Sequence, residues 1–477
     1  MTGQATMATM VTDVLPEIVL VAGGVLVLLY ALLAPRRLQG GAAVVAMLVA
    51  VAALTVALAM LPGTELVTFF GTYARDRTAL WAKIIVLAAT VAVIGLSAPW
   101  FRRDPRHGEY YTLLLFSSLG AILLAGATDL KELVVAMLLS SATGFVLSAY
   151  HRRSSQAAEA AIKYYLIGAL ANSAMLFGVA LLFGLAGSTT LGGLAAGLPS
   201  DGGLALVIGV GLVVVGLAFK IGAVPAHAWV PDVAQGAPAP VAAFVTTVPK
   251  VGGFIFLARF VIALPPDAAG WQPLVAVLAA ATMTLGNLAC LWQDDLRRLL
   301  GWSAVSQTGY GLMAVVALGS SDLAVPALLF FLLAYVLGNL AAFGVVVELR
   351  GRTALADVAG IGERRPALTA ALAISFLSFI GVPPLNGFVA KLLLFLVAIQ
   401  VGYAWLAVAA AVNTVVSIFY YVRVLAPAYF GRPAGTVAVL GRPAASATFA
   451  AAAAVVVTGV AAEPFVAAFA AAGLVIR

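Results

Sequence analysis

The amino-acid sequence predicts an all-α polytopic membrane protein of fourteen transmembrane helices, and three observations carry that prediction. Of 477 residues, 63% are hydrophobic and only 9% are charged. An average soluble domain carries roughly 25% charged residues. At about 20 residues per spanning helix, the roughly 300 apolar residues fill about fourteen spans and leave no length for a soluble nucleotide-binding domain. The third observation is the uneven distribution of basic residues between the apolar stretches.

Uncharged stretches bounded by charges, proline or glycine place the helices at 16–35, 41–62, 79–99, 110–127, 129–149, 158–186, 204–224, 238–263, 271–291, 299–318, 325–348, 367–398, 402–427 and 445–470. No Lys or Arg precedes the first of them, so no cleavable signal peptide is expected. Counted over alternate loops and tails, Lys plus Arg number 15 on one side and 4 on the other, the latter being Arg75, Arg77, Lys131 and Arg477. Basic loops stay in the cytoplasm. Both termini are therefore expected outside it, in a bacterial cell membrane.

Composition also excludes chemistry. The one cysteine, Cys290, rules out an internal disulfide, a CxxC pair or an iron–sulfur site on this chain. His107, His151 and His227 are too scattered to hold haems, and no metal site is expected. Gly209 to Gly216 lies inside an apolar run, which reads as close helix packing rather than a dinucleotide loop. The net charge of +7 belongs to loops and does not indicate nucleic-acid binding.

The lysines are set apart from the arginines. Of 20 Arg, 18 fall in loops or tails, whereas 5 of 6 Lys (Lys83, Lys163, Lys220, Lys250 and Lys391) fall inside spans. Arg259 and Arg423, near the ends of helices 8 and 13, read as anchors. A buried ammonium gives up its proton readily and a guanidinium does not, so this partition reserves groups that change charge for the bilayer. Lys83 and Lys163 lie within two turns of their helix starts, where snorkelling or a static ion pair accounts for them equally well. Lys83→Arg is accordingly expected to be nearly silent. Lys250 lies mid-span, where an isolated charge costs about 2.5–3.5 kcal/mol, so it needs a partner, a hydrated cavity or neutrality. Glu132 is the carboxylate expected inside the membrane region of the first half, either solvated beside Lys131 or paired with a lysine on a neighbouring helix. Glu348, at the end of helix 11, reads as solvated.

Helices 7 and 12 each carry breakers beside a lysine: Gly222 and Pro225 after Lys220, and Gly381, Pro383, Pro384 and Gly387 before Lys391. Static kinks are one account of such prolines. Paired broken helices are also the sequence mark of an inverted-repeat transporter with its ion site at the breaks. The expected units are 1–109 (helices 1 to 3), 110–263 (first repeat, helices 4 to 8), 264–427 (second repeat, helices 9 to 13) and 428–477 (helix 14).

The segment KIGAVPAHAWVPDVAQGAPAPVAAF from Lys220, with TTVPKVGGF around Lys250, resembles the antiporter-like membrane subunits of respiratory complex I. The GAP-type version after Pro-Asp is most similar to the subunit N branch of bacterial NADH:quinone oxidoreductases, the counterpart of mitochondrial subunit 2. IKYYLIGALANSAMLFGVALLFG from Ile162, GVPPLNGFVAKLLLF from Gly381 and YYVRV from Tyr420 agree. The match runs from helix 4 to helix 13, and the chain has no room for the long lateral helix of the largest paralogue. The resemblance implies a proton-translocating translocase subunit with a relay of Glu132, Lys220, Lys250 and Lys391, and with Lys163 and His227 in connecting positions. It implies partners among the other complex I membrane subunits. FMN, iron–sulfur clusters and quinone would then belong to other chains, with no cofactor on this one. Gln307 departs from the family, whose members often carry a titratable His or Lys there; a link through ordered water is expected in its place. The competing readings are a subunit of a multi-subunit cation/proton antiporter, which shares the lysines, a stand-alone solute carrier, and a scaffold. A solute carrier predicts a polar pocket at the breaks, where this sequence has mostly Ala, Val and Gly.

Overall fold

The computed structural model describes residues 7–102, 104, 107–151, 154–200, 202–265, 270–432 and 442–476. Arg103, Arg106, Arg152, Arg153 and Arg477, which entered the loop tally, lie outside these residues. Twelve helices among the described residues are long and apolar enough to cross a membrane. Leu296–Val316 is as long but more polar, carrying Ser303, Ser306, Gln307 and Thr308 on buried positions. Two shorter apolar helices, Pro366–Ile380 and Asn386–Gln400, occupy the stretch expected for helix 12.

Both expected breaks are present. Leu204–Ile221 stops at Gly222 (φ 76°), and the chain turns before Trp229–Gly236. Pro366–Ile380 stops at Gly381 (φ 94°) before Asn386–Gln400. These left-handed conformations are open to glycine and costly for other residues. The freed groups are caught locally. Trp229 Nε1 donates to the Phe219 carbonyl (3.2 Å), and the Gly387 N–H donates to Ser378 Oγ (3.2 Å). Gly387 has no space for a side chain, since a Cβ there would lie 1.8 Å from the Ser378 carbonyl oxygen.

Helix 8, expected as one span over 238–263, is two helices, Ala239–Val245 and Val248–Ile262. Pro249 has no N–H for the carbonyl four residues back. Thr246 and Thr247 turn their hydroxyls onto the Ala242 and Ala243 carbonyls (2.7 and 2.6 Å), which competes with the helix ladder. Tyr335 OH then donates to the Thr246 carbonyl (2.7 Å) and Asn339 to the Thr246 hydroxyl (3.0 Å), so the break is pinned from Ala324–Leu349. Helix 14, expected over 445–470, likewise divides into Arg442–Val460 and Ala462–Ala470. Pro464 explains the division, because its ring cannot sit on an uninterrupted preceding turn.

Two loops repeat each other at opposite ends of the molecule. Asp129 caps Leu130–Ser148, accepting from Lys131 N (2.7 Å) and from the Thr189 hydroxyl (2.9 Å), while Leu130 N donates to the Thr189 carbonyl (2.9 Å). Asp295 caps Leu296–Val316, accepting from Arg297 N (2.9 Å) and from the Thr353 hydroxyl (2.7 Å), while Leu296 N donates to the Thr353 carbonyl (2.7 Å). The long helix Ser155–Ala186 spans the distance between them. Its C-terminal end leads into Thr189, and its first turns face Asp232 and Arg298 through Lys163.

The Asp129 end carries three features absent from the expected pattern, the short helices Met7–Asp13 and Leu191–Gly197 and a hairpin of Leu66–Thr68 and Tyr73–Arg75. Tyr73 bridges to Ala127, and its ring passes where a Cβ on Gly126 would be only 2.3 Å away. The glycine-rich stretch of Leu204–Ile221 does pack closely: a Cβ on Gly216 would meet Met175 at 2.5 Å, and one on Gly178 would meet the Gly209 carbonyl at 2.7 Å.

Candidate functional site

The lysines of the expected relay meet the ends of the broken helices. Lys250 follows the Thr246–Thr247 break, and its Nζ donates to the Ala304 carbonyl (2.7 Å) and to Thr308 Oγ1 (2.8 Å). The Thr308 hydroxyl lies 2.8 Å from the carbonyl of Ile221, the last residue of Leu204–Ile221. Lys391 Nζ donates to the carbonyl of Ile380, the last residue of Pro366–Ile380 (3.1 Å), and to Thr414 Oγ1 (3.1 Å). Lys391 is thus held directly at a helix C-terminus, where unpaired carbonyls and the negative end of the helix dipole favour a cation, and Lys250 reaches one through Thr308. Each also stands over a tyrosine ring, Lys250 over Tyr335 (5.3 Å) and Lys391 over Tyr310 (4.3 Å).

Lys220 lies one residue before Ile221 and is 1% exposed; its Nζ donates to Ser141 Oγ (2.8 Å). Its aliphatic stem crosses Gly253, where a Cβ would come within 3.0 Å of Lys220 Cγ. Thr308 therefore joins Lys250 to the Ile221 carbonyl, one residue along the backbone from Lys220, whose own Nζ is held separately on Ser141. The Tyr335 ring that Lys250 faces also lines, with Gln307 and Lys391, a cavity of about 10 Å³. That volume is close to the least that holds one water.

Several expected placements differ. Glu132 makes no ion pair with Lys220: Lys220 reaches Ser141, nine residues further along the same helix, or roughly 13 Å along its axis. What faces Glu132 is Asp129, Glu17 and Lys83. Lys83 is fully buried and lies 2.9 Å from Glu17 Oε1. Of the two accounts offered for it, the static ion pair is the one present and snorkelling is not. Arg259 is no interfacial anchor but a fully buried partner of Asp76 (2.6 Å). Glu348 is buried, 3.4 Å from Arg365, rather than solvated. Arg423 does sit partly exposed, bonded to the Leu291 carbonyl (2.7 Å) and paired with Asp294.

Of the two connecting residues, Lys163 is partly exposed and bound to Glu159 (2.6 Å) and Asp232 (3.1 Å) at the end opposite Asp129. His227 is half-buried in the turn after Gly222, its ring 5.7 Å from Trp302. Outside the spans, burial holds the His151 imidazole below its ordinary value. The serine and threonine hydroxyls of Ser141, Thr308 and Thr414, which hold the three lysines, carried no signal in the sequence. Hydroxyls are common on buried helix faces, and only the lysine opposite gives them a role.

Residues 127–417 match the family described as NADH:quinone oxidoreductase/Mrp antiporter, TM. The chain is 42% identical to the NADH-quinone oxidoreductase subunit N of Mycobacterium sp. (strain JLS) over 87% of its own length and 88% of that protein. Among solved structures, a chain of respiratory complex I from Thermus thermophilus with bound aureothin is similar at 33% identity and a TM-score of 0.84, covering 96% of this chain and 100% of that one. A chain of the Mrp complex from Dietzia sp. DQ12-45-1b is similar at 20% identity and a TM-score of 0.85, covering 98% and 97%, a likeness of fold alone. The match to the family and the identity to its curated members along most of both chains place this chain in the NADH-quinone oxidoreductase subunit N family, among the antiporter-like membrane subunits.

Proposed function

We propose that this chain translocates protons as a membrane subunit of an NADH:quinone oxidoreductase, through a relay of Glu132, Lys220, Lys250 and Lys391 driven by quinone reduction on other chains. The observation that carries the reading is the placement of three buried lysines at the helix breaks: Lys220 just before the turn at Gly222, Lys250 joined to that turn through Thr308, and Lys391 on the Ile380 carbonyl beside a cavity that Gln307 and Tyr335 also line. Flavin, iron–sulfur clusters and quinone belong to neighbouring subunits in this reading, and this chain acts by changing the charge of its lysines. Identity to subunit N favours it over a cation/proton antiporter subunit, for which only the fold speaks.

The chemistry follows from burial. An ammonium in a dry site loses its proton more easily than one in water, and a nearby carboxylate restores its hold. Glu132, roughly 13 Å along its helix from the Ser141 that holds Lys220, does not pair with it, so in this reading its charge acts on Lys220 at long range, an ionised Glu132 favouring the charged lysine and a neutral one favouring release. The proton passes from Lys220 to Lys250 through intervening water, with the Thr308 hydroxyl orienting the Lys250 end. Gln307 carries no titratable proton, so the step between Lys250 and Lys391 runs through a water in the shared cavity. Lys391 exchanges with the outer side, and Lys163 and His227 serve the supply at the other end. Arginine keeps its proton. Lys220→Arg and Lys391→Arg are thus expected to assemble and oxidise NADH while the proton yield per NADH in reconstituted vesicles falls; wild-type yields in both would remove the relay.

The same reading takes the molecule as fourteen spans with two inverted repeats, helices 4 to 8 and 9 to 13, divided as 1–109, 110–263, 264–427 and 428–477. The matching caps at Asp129 and Asp295, at opposite ends, support it. Both termini are outside the cytoplasm in this arrangement. A single cysteine introduced at Arg364 is expected to react with an impermeant thiol reagent only in inverted vesicles. Labelling from the outer face would reverse the topology.

A further inference from the structure

At the Asp129 end, three helices and the hairpin bring together two carboxylates and one ammonium. Glu17 (4% exposed) comes from Leu15–Leu33, Lys83 (0%) from Arg77–Phe101 and Glu132 from Leu130–Ser148. Glu17 Oε1 lies 2.9 Å from Lys83 Nζ and accepts a 2.5 Å hydrogen bond from Tyr73 OH, while the Tyr73 ring covers the ammonium at 5.0 Å. Glu17 Oε2, Lys83 Nζ and Glu132 Oε2 are all buried without a hydrogen-bond partner. Buried polar atoms are rarely left so, and the charges of Glu17 and Lys83 both act on Glu132. An ammonium has three donors. This one is committed to a single carboxylate, with a second carboxylate in its field.

We propose that Glu17, Lys83 and Glu132 form one proton-binding cluster, in which a single ammonium serves the two carboxylates in turn and the carboxylate without it carries the proton. The proposal rests on the reading that protons pass by way of Glu132, and it assigns the first three helices a part in that passage. In the arrangement observed the ammonium is on Glu17, and the proposal puts the proton on the unpartnered Glu132 Oε2. In the other, the O–H bond at Glu132 breaks, an O–H bond forms at Glu17 Oε2, and the ammonium moves to Glu132. All three N–H bonds of Lys83 persist, and the cluster is neutral in both arrangements. Two like charges in a dry site do not both ionise without compensation, so the single ammonium decides which carboxylate is charged. The charge on Glu132 is then set from the N-terminal helices.

The other charged groups at this end are already committed. Asp129 caps its helix and accepts from Thr189, Asp76 is paired with Arg259, and Asp13 is paired with Arg75 (2.8 Å). Lys131 is exposed, 3.8 Å from Asp129. Burial, followed by the Glu17 and Glu132 carboxylates, pushes the Tyr73 phenol well above its ordinary value, so its hydroxyl stays a donor to Glu17.

The experiment is infrared titration of the whole purified complex, with Glu132→Gln identifying the carbonyl band of protonated Glu132. In Glu17→Gln the ammonium has only Glu132 to serve, and that band is expected to be lost at neutral pH. If the band keeps its wild-type intensity there, Lys83 and Glu17 are a static brace and the cluster is wrong. Tyr73→Phe serves where Glu17→Gln fails to assemble. Without the phenol's hydrogen bond Glu17 holds a proton more readily, so the Glu132 band is expected to vanish at a lower pH than in wild type. An unchanged midpoint overturns the proposal equally. The band is read without turnover, so its failure leaves the lysine relay standing, whereas pumping by Lys391→Arg removes the relay and leaves the band untouched.

Discussion

Asp76→Asn is expected to destabilise the subunit by about 3–5 kcal/mol, the cost of leaving a buried charge without its partner. Asp76 serves three groups at once. It caps Arg77–Phe101 through Ala79 N (2.7 Å), holds the Arg259 guanidinium (2.6 Å to Nη1, 2.7 Å to Nη2) and accepts from the backbone N–H of Val475 (3.0 Å). Both members of the pair are fully buried, so water cannot take over when the carboxylate becomes an amide. Asparagine keeps one acceptor and preserves much of the cap. The loss therefore falls mainly on Arg259. The measurement is the amount of subunit recovered in the intact complex on native gels, with its melting temperature. Recovery of assembly in Asp76→Asn combined with Arg259→Met would show that the stranded charge is the cause; a single variant that melts like wild type would contradict it.

The second large effect is expected at Lys250, where methionine keeps the length of the side chain and removes the charge. Lys250→Met leaves Thr308 and the Ala304 carbonyl without their ammonium, and Thr308 still has the Ile221 carbonyl to bond. The fold is therefore expected to persist while passage between the two halves stops. In reconstituted vesicles the proton yield per NADH should fall at least as far as in Lys391→Arg, because Lys250 lies between Lys220 and the cavity at Gln307. A yield equal to wild type would mean that protons bypass Lys250.

The breaks at Gly222 and Gly381 were legible because glycine and proline act through the backbone alone, whatever packs around them. The break at Thr246–Thr247 was not. Its signal, two threonines and Pro249, occurs often at the start of unbroken helices, and it becomes a break through Tyr335 and Asn339, about 90 residues away. The buried lysines were legible as a set, but their partners were not, since Ser141, Thr308 and Thr414 are ordinary residues on helix faces. Hydropathy misled at Arg259 and Glu348, and at Lys83 it left snorkelling open where a buried ion pair stands. Distance from a helix end measures depth along one axis and says nothing about whether a neighbouring segment covers the side chain. The hairpin at Tyr73 and the tail around Val475 supply that cover for Lys83 and Arg259. TDLKEL from Thr128 and DDLRRL from Asp294 share an Asp-Leu-basic pattern, which becomes a pair of caps only through Thr189 and Thr353, about 60 residues further on.

The bond from Val475 to Asp76 also sets a timetable. The two residues are 399 positions apart, and at about 5–20 residues per second a ribosome needs roughly 20–80 s to cover that interval. Throughout it the N-terminal helices are already in the membrane, and Arg259, once made, has Asp76 but lacks the Val475 carbonyl that completes its shell at 2.7 Å. Thr78 waits equally for the Gly473 carbonyl (2.7 Å), and Trp81 for the ring of Phe469 (5.2 Å). The earliest helices of the chain thus mature last, when the final helix arrives to close them. A nascent subunit stalled before that point exposes a half-satisfied arginine to the membrane's proteases.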